Sequence, residues 1–221
     1  MQDNTVCVSI GEKTFATIDS VLKQVDFAEI RLDLSSIDGE EIRRLFSCGK
    51  PLIATCREGA YGKNQRLERL TAAICAGAAF VDVETEADDD FRATVVALAK
   101  QHGCRVIISF HDFEGTPSVA KLEATVEQCR AQGADIVKLV TTACTTADSS
   151  KVLSLYSRFP NLSLIAFAMG CKGLITRVAC LYLGAPYTYV AISDDRTVAS
   201  GQISLVRMKN IMDNLNNNCV I

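Results

Sequence analysis

Lys138 is the residue of this sequence whose surroundings point most directly to chemistry. It lies within Asp-Ile-Val-Lys-Leu-Val at 135–140, a run typical of a buried strand, and none of the other nine lysines has a β-branched residue on one side and an aliphatic residue on the other. Burial of an ammonium is costly unless it is paired, and burial lowers the pKa of a lysine. Schiff-base formation requires such a neutral amine. The alternative is a structural lysine that pairs with a carboxylate or reaches solvent from the end of the strand.

Two further titratable side chains close the apolar runs that precede Lys138. Glu84 ends the fourth run of the chain, and His111 follows the fifth. If these strands are neighbours, a carboxylate, an imidazole and an amine meet in one cavity. They would supply an orienting group, a general acid–base and a covalent nucleophile, although His111 alone could equally be a loop histidine with satisfied hydrogen bonds. The other histidine, His102, precedes a glycine at a predicted helix end and is expected to be structural.

Charged residues also mark the second and third apolar runs. Glu29, Arg31 and Asp33 alternate with apolar residues, and Arg57 follows the run that ends at Cys56. A two-residue period places the three alternating side chains on one face of a strand. That face could line the mouth of a barrel or be the solvated side of a sheet, and an arginine after a strand is often an ordinary loop residue. The fold decides between these roles.

Strand-like apolar runs alternate with segments of helical periodicity along the whole chain. Strands are predicted at 5–10, 28–32, 51–56, 80–84, 105–110, 135–140, 162–167 and 187–192. Helices are predicted at 14–24, 39–46, 65–76, 90–102, 118–132, 146–159, 174–183 and 202–214, four of them ended by a glycine. Eight such units predict a single-domain (β/α)8 TIM barrel over residues 1–221, with catalytic groups at the carboxyl ends of its strands. The main alternative, a doubly wound open sheet, is disfavoured because no Gly-x-Gly-x-x-Gly follows the first strand.

Composition limits the partners that this protein is expected to bind. The chain of 221 residues is 48% hydrophobic and 22% charged, with a net charge of −3 and a mean hydropathy of +0.17. This predicts a soluble globular protein that binds neither nucleic acid nor an anionic membrane. No apolar stretch reaches the roughly 18 residues of a membrane span, and the first four residues lack the features of a signal peptide.

The cysteine and histidine content bears on redox compartment and metals. Ten cysteines without a Cys-x-x-Cys pair favour reduced thiols in a cytoplasmic protein over a disulfide framework or a zinc site. With two histidines and no clustered ligands, no metal site is predicted.

The combination of these motifs is more specific than any one of them. They are Glu29-Ile-Arg31-Leu-Asp33, Thr55-Cys-Arg57-Glu-Gly59, Asp82-Val-Glu84, Ser109-Phe-His111-Asp112-Phe113, Lys138-Leu139 and Met169…Arg177…Gly201-Gln202. In order and spacing the chain resembles the type I 3-dehydroquinate dehydratases over essentially its whole length. The resemblance implies a cofactor-free (β/α)8 barrel, usually a homodimer. It also implies a lyase that converts 3-dehydroquinate to 3-dehydroshikimate through an imine, in the shikimate pathway of aromatic amino acid biosynthesis.

The resemblance also implies roles for individual residues. Lys138 matches the imine-forming lysine, His111 the general acid–base and Glu84 the carboxylate that assists the histidine. Arg177 matches the arginine that binds the substrate carboxylate, and Gln202 a residue of the closing loop. Residues that contact substrate hydroxyls or organise the site are matched by Glu29, Arg31 and Arg57.

Three positions, Phe167, Val198 and Ser200, depart from the usual family pattern. Phe167 and Met169 occupy positions where the family places apolar side chains, usually methionines, against the substrate; on bare sequence both could be core residues. The final loop lacks the usual serine, whose position is taken by Val198, and Ser200 replaces a proline. Whether Ser200, Thr197 or no residue substitutes for that serine is left open.

Two other functions remain as alternatives. A class I aldolase is also a barrel with a late imine-forming lysine, but it would carry a phosphate or polyol site in place of Arg177. A catalytically silent barrel used as a binding module would not need Lys138, His111 and Glu84 together.

Overall fold

The computed structural model describes residues 5–217, in which strands and helices alternate. The strands are β1 Thr5–Ile10, β2 Ala28–Arg31, β3 Leu52–Thr55, β4 Phe80–Glu84, β5 Arg105–His111, β6 Ile136–Thr142, β7 Leu164–Met169 and β8 Tyr187–Val190. The helices are α1 Phe15–Leu22, α2 Gly39–Phe46, α3 Lys63–Cys75, α4 Asp89–Gln101, α5 Val119–Ala131, α6 Thr146–Arg158, α7 Leu174–Tyr182 and α8 Leu205–Asn217. Expectations were given above for the first four residues and for Cys219, and these residues lie outside the described part of the chain.

All neighbouring strands run parallel and form a nearly closed barrel. Their order is β7-β6-β5-β4-β3-β2-β1-β8, and β1 pairs with both β2 and β8. In a doubly wound sheet the strand order reverses at an internal switch point. Here chain neighbours are also sheet neighbours from β1 to β7, so the predicted (β/α)8 barrel is confirmed and the open-sheet alternative is wrong.

Alternation of side chains along the strands creates two apolar layers. In β6, Val137 and Leu139 join the layer between strands and helices, whereas Ile136 and Val140 belong to the interior of the barrel. Successive side chains of a strand point to opposite faces, so Lys138 faces the interior with Ile136 and Val140. The same rule directs Phe167 and Met169 of β7 inward.

Element boundaries differ from the predictions by a few residues, with two consequences for the site. Strand β2 ends at Arg31 and a 3₁₀ turn, Leu32–Leu34, follows it. Helix α8 begins at Leu205 and not at 202, because the backbone N–H of Leu205 donates to Ala191, which also forms a parallel bridge with Ser204. Residues 202–204 therefore belong to the loop over the barrel mouth and not to the helix.

The cysteines of the described part of the chain are all free thiols. Five are buried and four are exposed, so the prediction of small core residues holds for only part of the set. No helix within residues 5–217 is long and apolar enough to cross a membrane.

Candidate active site

Lys138 lies inside the barrel, where carboxylates surround its amine. The residue is 4% exposed. Its Nζ donates to Asp82 Oδ2 at 2.9 Å and lies 3.7 Å from Glu29 Oε1. The structural alternative considered from the sequence, a lysine paired with a carboxylate, therefore describes the resting contacts of this side chain. It does not exclude chemistry, because a lysine at the mouth of a cavity can exchange its partner for a substrate.

Asp82 is the residue that sequence reasoning missed. Besides Lys138, its carboxylate accepts hydrogen bonds from Ser109 at 2.6 Å and Arg57 at 3.0 Å. Burial alone would raise the pKa of Asp82, but the positive charges of Arg57 and Lys138 outweigh burial and hold this pKa well below its usual range. Asp82 is thus a permanent anion beside the amine. The sequence could have indicated Asp82, because this residue is two positions before Glu84 and therefore lies on the same face of β4.

Glu84 has different partners from those that the family resemblance implied. Its carboxylate lies 2.8 Å from the guanidinium of Arg66 and 3.4 Å from that of Arg57. No hydrogen bond or ion pair joins Glu84 to His111 in the described structure. The carboxylate whose charge acts on His111 is that of Asp82. Arg66 reaches this cluster from α3 and also donates to the carbonyl of Cys56 at 2.9 Å. A residue on a helix could not be assigned to the site from strand patterns.

His111 ends β5 beside Lys138 in a partly buried position. Its ring stacks on that of Phe113, with centroids 6.0 Å apart. Burial, followed by the positive charges of Arg57 and Lys138, lowers the pKa of His111 well below its ordinary value of 6.5. The imidazole is therefore neutral near pH 7 and is able to accept a proton.

The remaining charged residues of the second strand are organised by hydrogen bonds. Glu29 accepts from the hydroxyls of Ser9 and Thr55, each at 2.8 Å. Arg31 forms a two-pronged contact with Asp33, at 3.0 and 2.6 Å. The alternation predicted from the sequence thus ends in a turn, where Asp33 holds the guanidinium of Arg31.

Arg177 is buried, and no carboxylate of the described residues pairs with it. It is 1% exposed, and its guanidinium stacks on the ring of Phe167 at 4.5 Å. The hydrogen bond recorded for the guanidinium joins Nη2 to the carbonyl of Ser200 at 3.2 Å, and Nε has no partner among the described residues. Burial lowers the pKa of Arg177 to about 10. A buried cation with unused donors is suited to an anionic ligand.

The loop after β8 lies over the barrel mouth. Gln202 Oε1 accepts from the backbone N–H of Val198 at 2.9 Å. Val198 packs directly on Gly11, where an added methyl group would be only 2.6 Å from Cγ1 of the valine. Gly201 has a φ of +68°, and a side chain there would press on the backbone of Gly170. Both contacts need glycine and hold the loop against the mouth.

One cavity of about 170 Å³ brings these groups together. It is lined by nine of the ten predicted site residues, namely Glu29, Arg31, Arg57, His111, Lys138, Phe167, Met169, Arg177 and Gln202. Glu84 does not line it. A larger surface groove, of about 690 Å³, runs along α2 and α3 and contains none of the predicted residues. Within residues 5–217, no cluster of His, Cys, Asp or Glu side chains could hold a metal ion.

The fold and the site together define a barrel enzyme with a buried lysine inside the barrel. The chain matches the model of the family described as type I 3-dehydroquinase over residues 6–218, and it belongs to that family. It is 35% identical over 223 residues to the 3-dehydroquinate dehydratase of Desulfotalea psychrophila, covering 96% of this chain and 98% of that protein. The enzyme of that name from Dehalococcoides mccartyi is 35% identical over 196 residues, which is 86% of each chain.

A solved structure supports the fold independently. The 3-dehydroquinate dehydratase of Geobacillus kaustophilus superposes with a TM-score of 0.87 at 23% identity, covering 98% of this chain and 93% of that one. At that identity the likeness bears on the barrel alone. The family resemblance predicted from the motifs is confirmed.

Proposed function

We propose that this protein dehydrates 3-dehydroquinate to 3-dehydroshikimate through a Schiff base on Lys138, as a cytoplasmic enzyme of the shikimate pathway. The proposal rests on the presence, in one cavity, of the buried Lys138 and of the buried Arg177, which has no carboxylate partner within residues 5–217. A keto acid would satisfy both groups at once, its ketone at the amine and its carboxylate at the guanidinium. Family membership narrows the keto acid to 3-dehydroquinate.

The covalent step begins at Lys138. Its amine attacks the ketone carbon, and loss of the ketone oxygen as water leaves an iminium. The iminium draws electrons from the ring and makes the neighbouring C–H acidic. Neutral His111 removes that proton and then protonates the departing hydroxyl. Hydrolysis of the conjugated imine releases the product and restores the amine. Asp82, held anionic, remains beside the nitrogen and favours its positive charge.

Substrate binding falls to residues on other strands and the closing loop. Arg177 grips the carboxylate through two parallel N–H donors, which fixes the ring relative to His111. Glu29, Arg31 and Arg57 also line the cavity, and in this proposal they bind the ring hydroxyls. Apolar cover for the ring comes from Phe167 and Met169, and Gln202 completes the loop.

In this proposal Glu84 does not touch the reacting atoms and acts through neighbouring arginines. It positions Arg57 and Arg66, and Arg57 in turn contributes to the lowered pKa of His111. The assistance to the histidine that the family resemblance implied would thus pass through Arg57 and not through a direct contact.

Reduction with borohydride tests the mechanism. In the presence of 3-dehydroquinate, the peptide that contains Lys138 should gain the mass of one reduced ligand, and labelling of Lys151 or Lys172 instead would contradict the proposal. His111→Ala should still form the adduct but lose dehydration by roughly 10²–10⁴-fold per proton transfer. His102→Ala is the matched control and should behave like the parent. A class I aldolase would instead react with phosphorylated sugars, and a silent barrel would form no adduct.

We also propose that residues 1–221 act as one catalytic domain that pairs with a second copy. Helix α7 exposes a large apolar surface on the single chain. Ile175 is 60% exposed and Tyr182 44% exposed, and their seven-residue spacing places them on the same side of the helix. Such a surface is suited to a homodimer interface. Ile175→Glu should shift the mass measured by light scattering from dimer to monomer, whereas a monomeric parent would contradict the proposal.

A further inference from the structure

The ring of Tyr189 lies against the amine of Lys138. Tyr189 belongs to β8 and is 3% exposed, and its ring centroid is 4.0 Å from Lys138 Nζ. Neighbouring rings fix its orientation. Tyr187 meets it edge to face, with centroids 5.6 Å apart, and Phe167 meets it at 6.3 Å. The face of Tyr189 is therefore held toward the nitrogen that changes charge during the reaction.

The face of an aromatic ring attracts a cation without using any of its N–H groups. This matters because the hydrogen-bonding capacity of the nitrogen changes. As an ammonium, Lys138 has three donors for Asp82 at 2.9 Å and for Glu29 at 3.7 Å. As a protonated imine, it has one. The attraction by the ring survives this loss and so counts for more in the iminium than in the resting ammonium.

We propose that Tyr189 is a catalytic residue whose ring face stabilises the positive charge of the iminium formed on Lys138. The proposal rests on the Schiff-base function proposed above. In the supported step, the ammonium of Lys138 gives up one proton to the ketone oxygen, and the lone pair so freed on the nitrogen forms a bond to the ketone carbon. The resulting hydroxyl leaves with a second proton as water, and the nitrogen, now doubly bonded to carbon, carries one hydrogen and the positive charge. The phenol hydroxyl has no part in it.

A fluorination series tests the ring face directly. Tyr189 is replaced by phenylalanine and by phenylalanines that carry one, two or three ring fluorines, which weaken the attraction for a cation while nearly preserving shape. The substrate concentration that gives half-maximal borohydride trapping of 3-dehydroquinate on Lys138 is then measured. Tyr189→Phe should remain within about threefold of the parent. The trifluorinated ring should raise the half-maximal concentration by about 2- to 30-fold, the range of a cation–π contact, with a graded rise across the series.

The outcomes separate this proposal from the function on which it rests. A parent that forms no adduct overturns both. An adduct on Lys138 of the parent with a flat fluorine series overturns the role of Tyr189 alone. Tyr189→Leu, which removes the ring, is measured alongside the series, and a loss in Tyr189→Phe as large as that in the leucine variant would assign the effect to the hydroxyl and reject the ring-face role. The fluorinated rings nearly preserve packing, so the test does not depend on whether the leucine variant folds.

Discussion

The site contains two almost fully buried cations with opposite surroundings. Lys138 lies beside two carboxylates, Asp82 and Glu29, whereas Arg177 has none among the described residues. Each cation also contacts the face of an aromatic ring, Tyr189 for Lys138 and Phe167 for Arg177. The two cations therefore differ in their carboxylate neighbours and not in their aromatic contacts.

This contrast separates what the protein satisfies internally from what it leaves for a ligand. A nitrogen that must form a bond needs surroundings that tolerate its charge at every stage, so anions are supplied permanently. A guanidinium that must hold a carboxylate needs an unoccupied face, so its compensation is left to the substrate. The first arrangement compensates its buried charges within the free protein, and the second leaves a buried charge uncompensated, which costs the free protein stability.

Removal of the negative charge of Asp82, beside Lys138, should have the largest effect on the free energy of unfolding. Asp82→Asn keeps the shape of the side chain but leaves Lys138 and Arg57 short of one negative charge. Breaking a buried ion pair by removing one partner costs about 3–5 kcal/mol, and the free energy of unfolding in urea should fall by that amount. Asp19→Asn, which removes an exposed pair with Lys23, should change it by less than about 1 kcal/mol. Equal effects of the two substitutions would show that the lysine cluster is not internally compensated.

Removal of the cation at the other end should leave the free protein as stable as before or more so. Arg177→Met fills similar volume and eliminates an uncompensated buried charge, so the free energy of unfolding should not fall by more than about 1 kcal/mol. Binding of 3-dehydroquinate should nevertheless weaken by about 1.5–3 kcal/mol, the value of a charge-assisted hydrogen bond. Arg177→Lys should restore only part of it, because an ammonium lacks the planar fork.

A second buried arginine provides the control for Arg177→Met. Arg66 pairs with Glu84 at 2.8 Å, so Arg66→Met leaves a carboxylate without this partner and should destabilise the free protein. If both methionine variants destabilise it alike, the idea that Arg177 is held in reserve for a ligand is wrong.

The sequence predicted the barrel and most of the site because both depend on local pattern. The apolar run around Lys138 predicted a buried strand, and the strand ends placed His111 and Arg57 at the mouth. Pattern could not decide between Asp82 and Glu84, since both share one face of β4 and their partners, Lys138 for Asp82 and Arg66 for Glu84, lie on other elements. The missing counter-ion of Arg177 is a property of three-dimensional neighbours, which no single strand encodes.

The loop after β8 lies over the cavity that contains both cations, and its side chains can be tested separately. Val198 packs on Gly11, and its N–H is held by Gln202. Val198→Ser should change dehydration by less than about tenfold, because one neutral hydrogen bond is worth only about 0.5–1.5 kcal/mol. Gln202→Ala should weaken catalysis more, since it removes both the loop contact and a cavity wall. Limited proteolysis of the loop with and without 3-dehydroquinate reports on closure, and equal cleavage rates would contradict it.

The smallest expected effect concerns His111, which lies on the internally compensated side. Its lowered pKa means that the unfolded chain takes up a proton below pH 6.5 that the folded protein does not. The free energy of unfolding therefore falls as the pH drops through that region, by less than about 1 kcal/mol between pH 7.5 and 6 for one proton. Urea titrations should show this loss in the parent but not in His111→Gln. In the His102→Gln protein, which keeps a single imidazole, the NMR titration midpoint should lie below 6.5. A midpoint at or above 6.5 would mean that Asp82 governs the histidine more strongly than burial, Arg57 and Lys138 together.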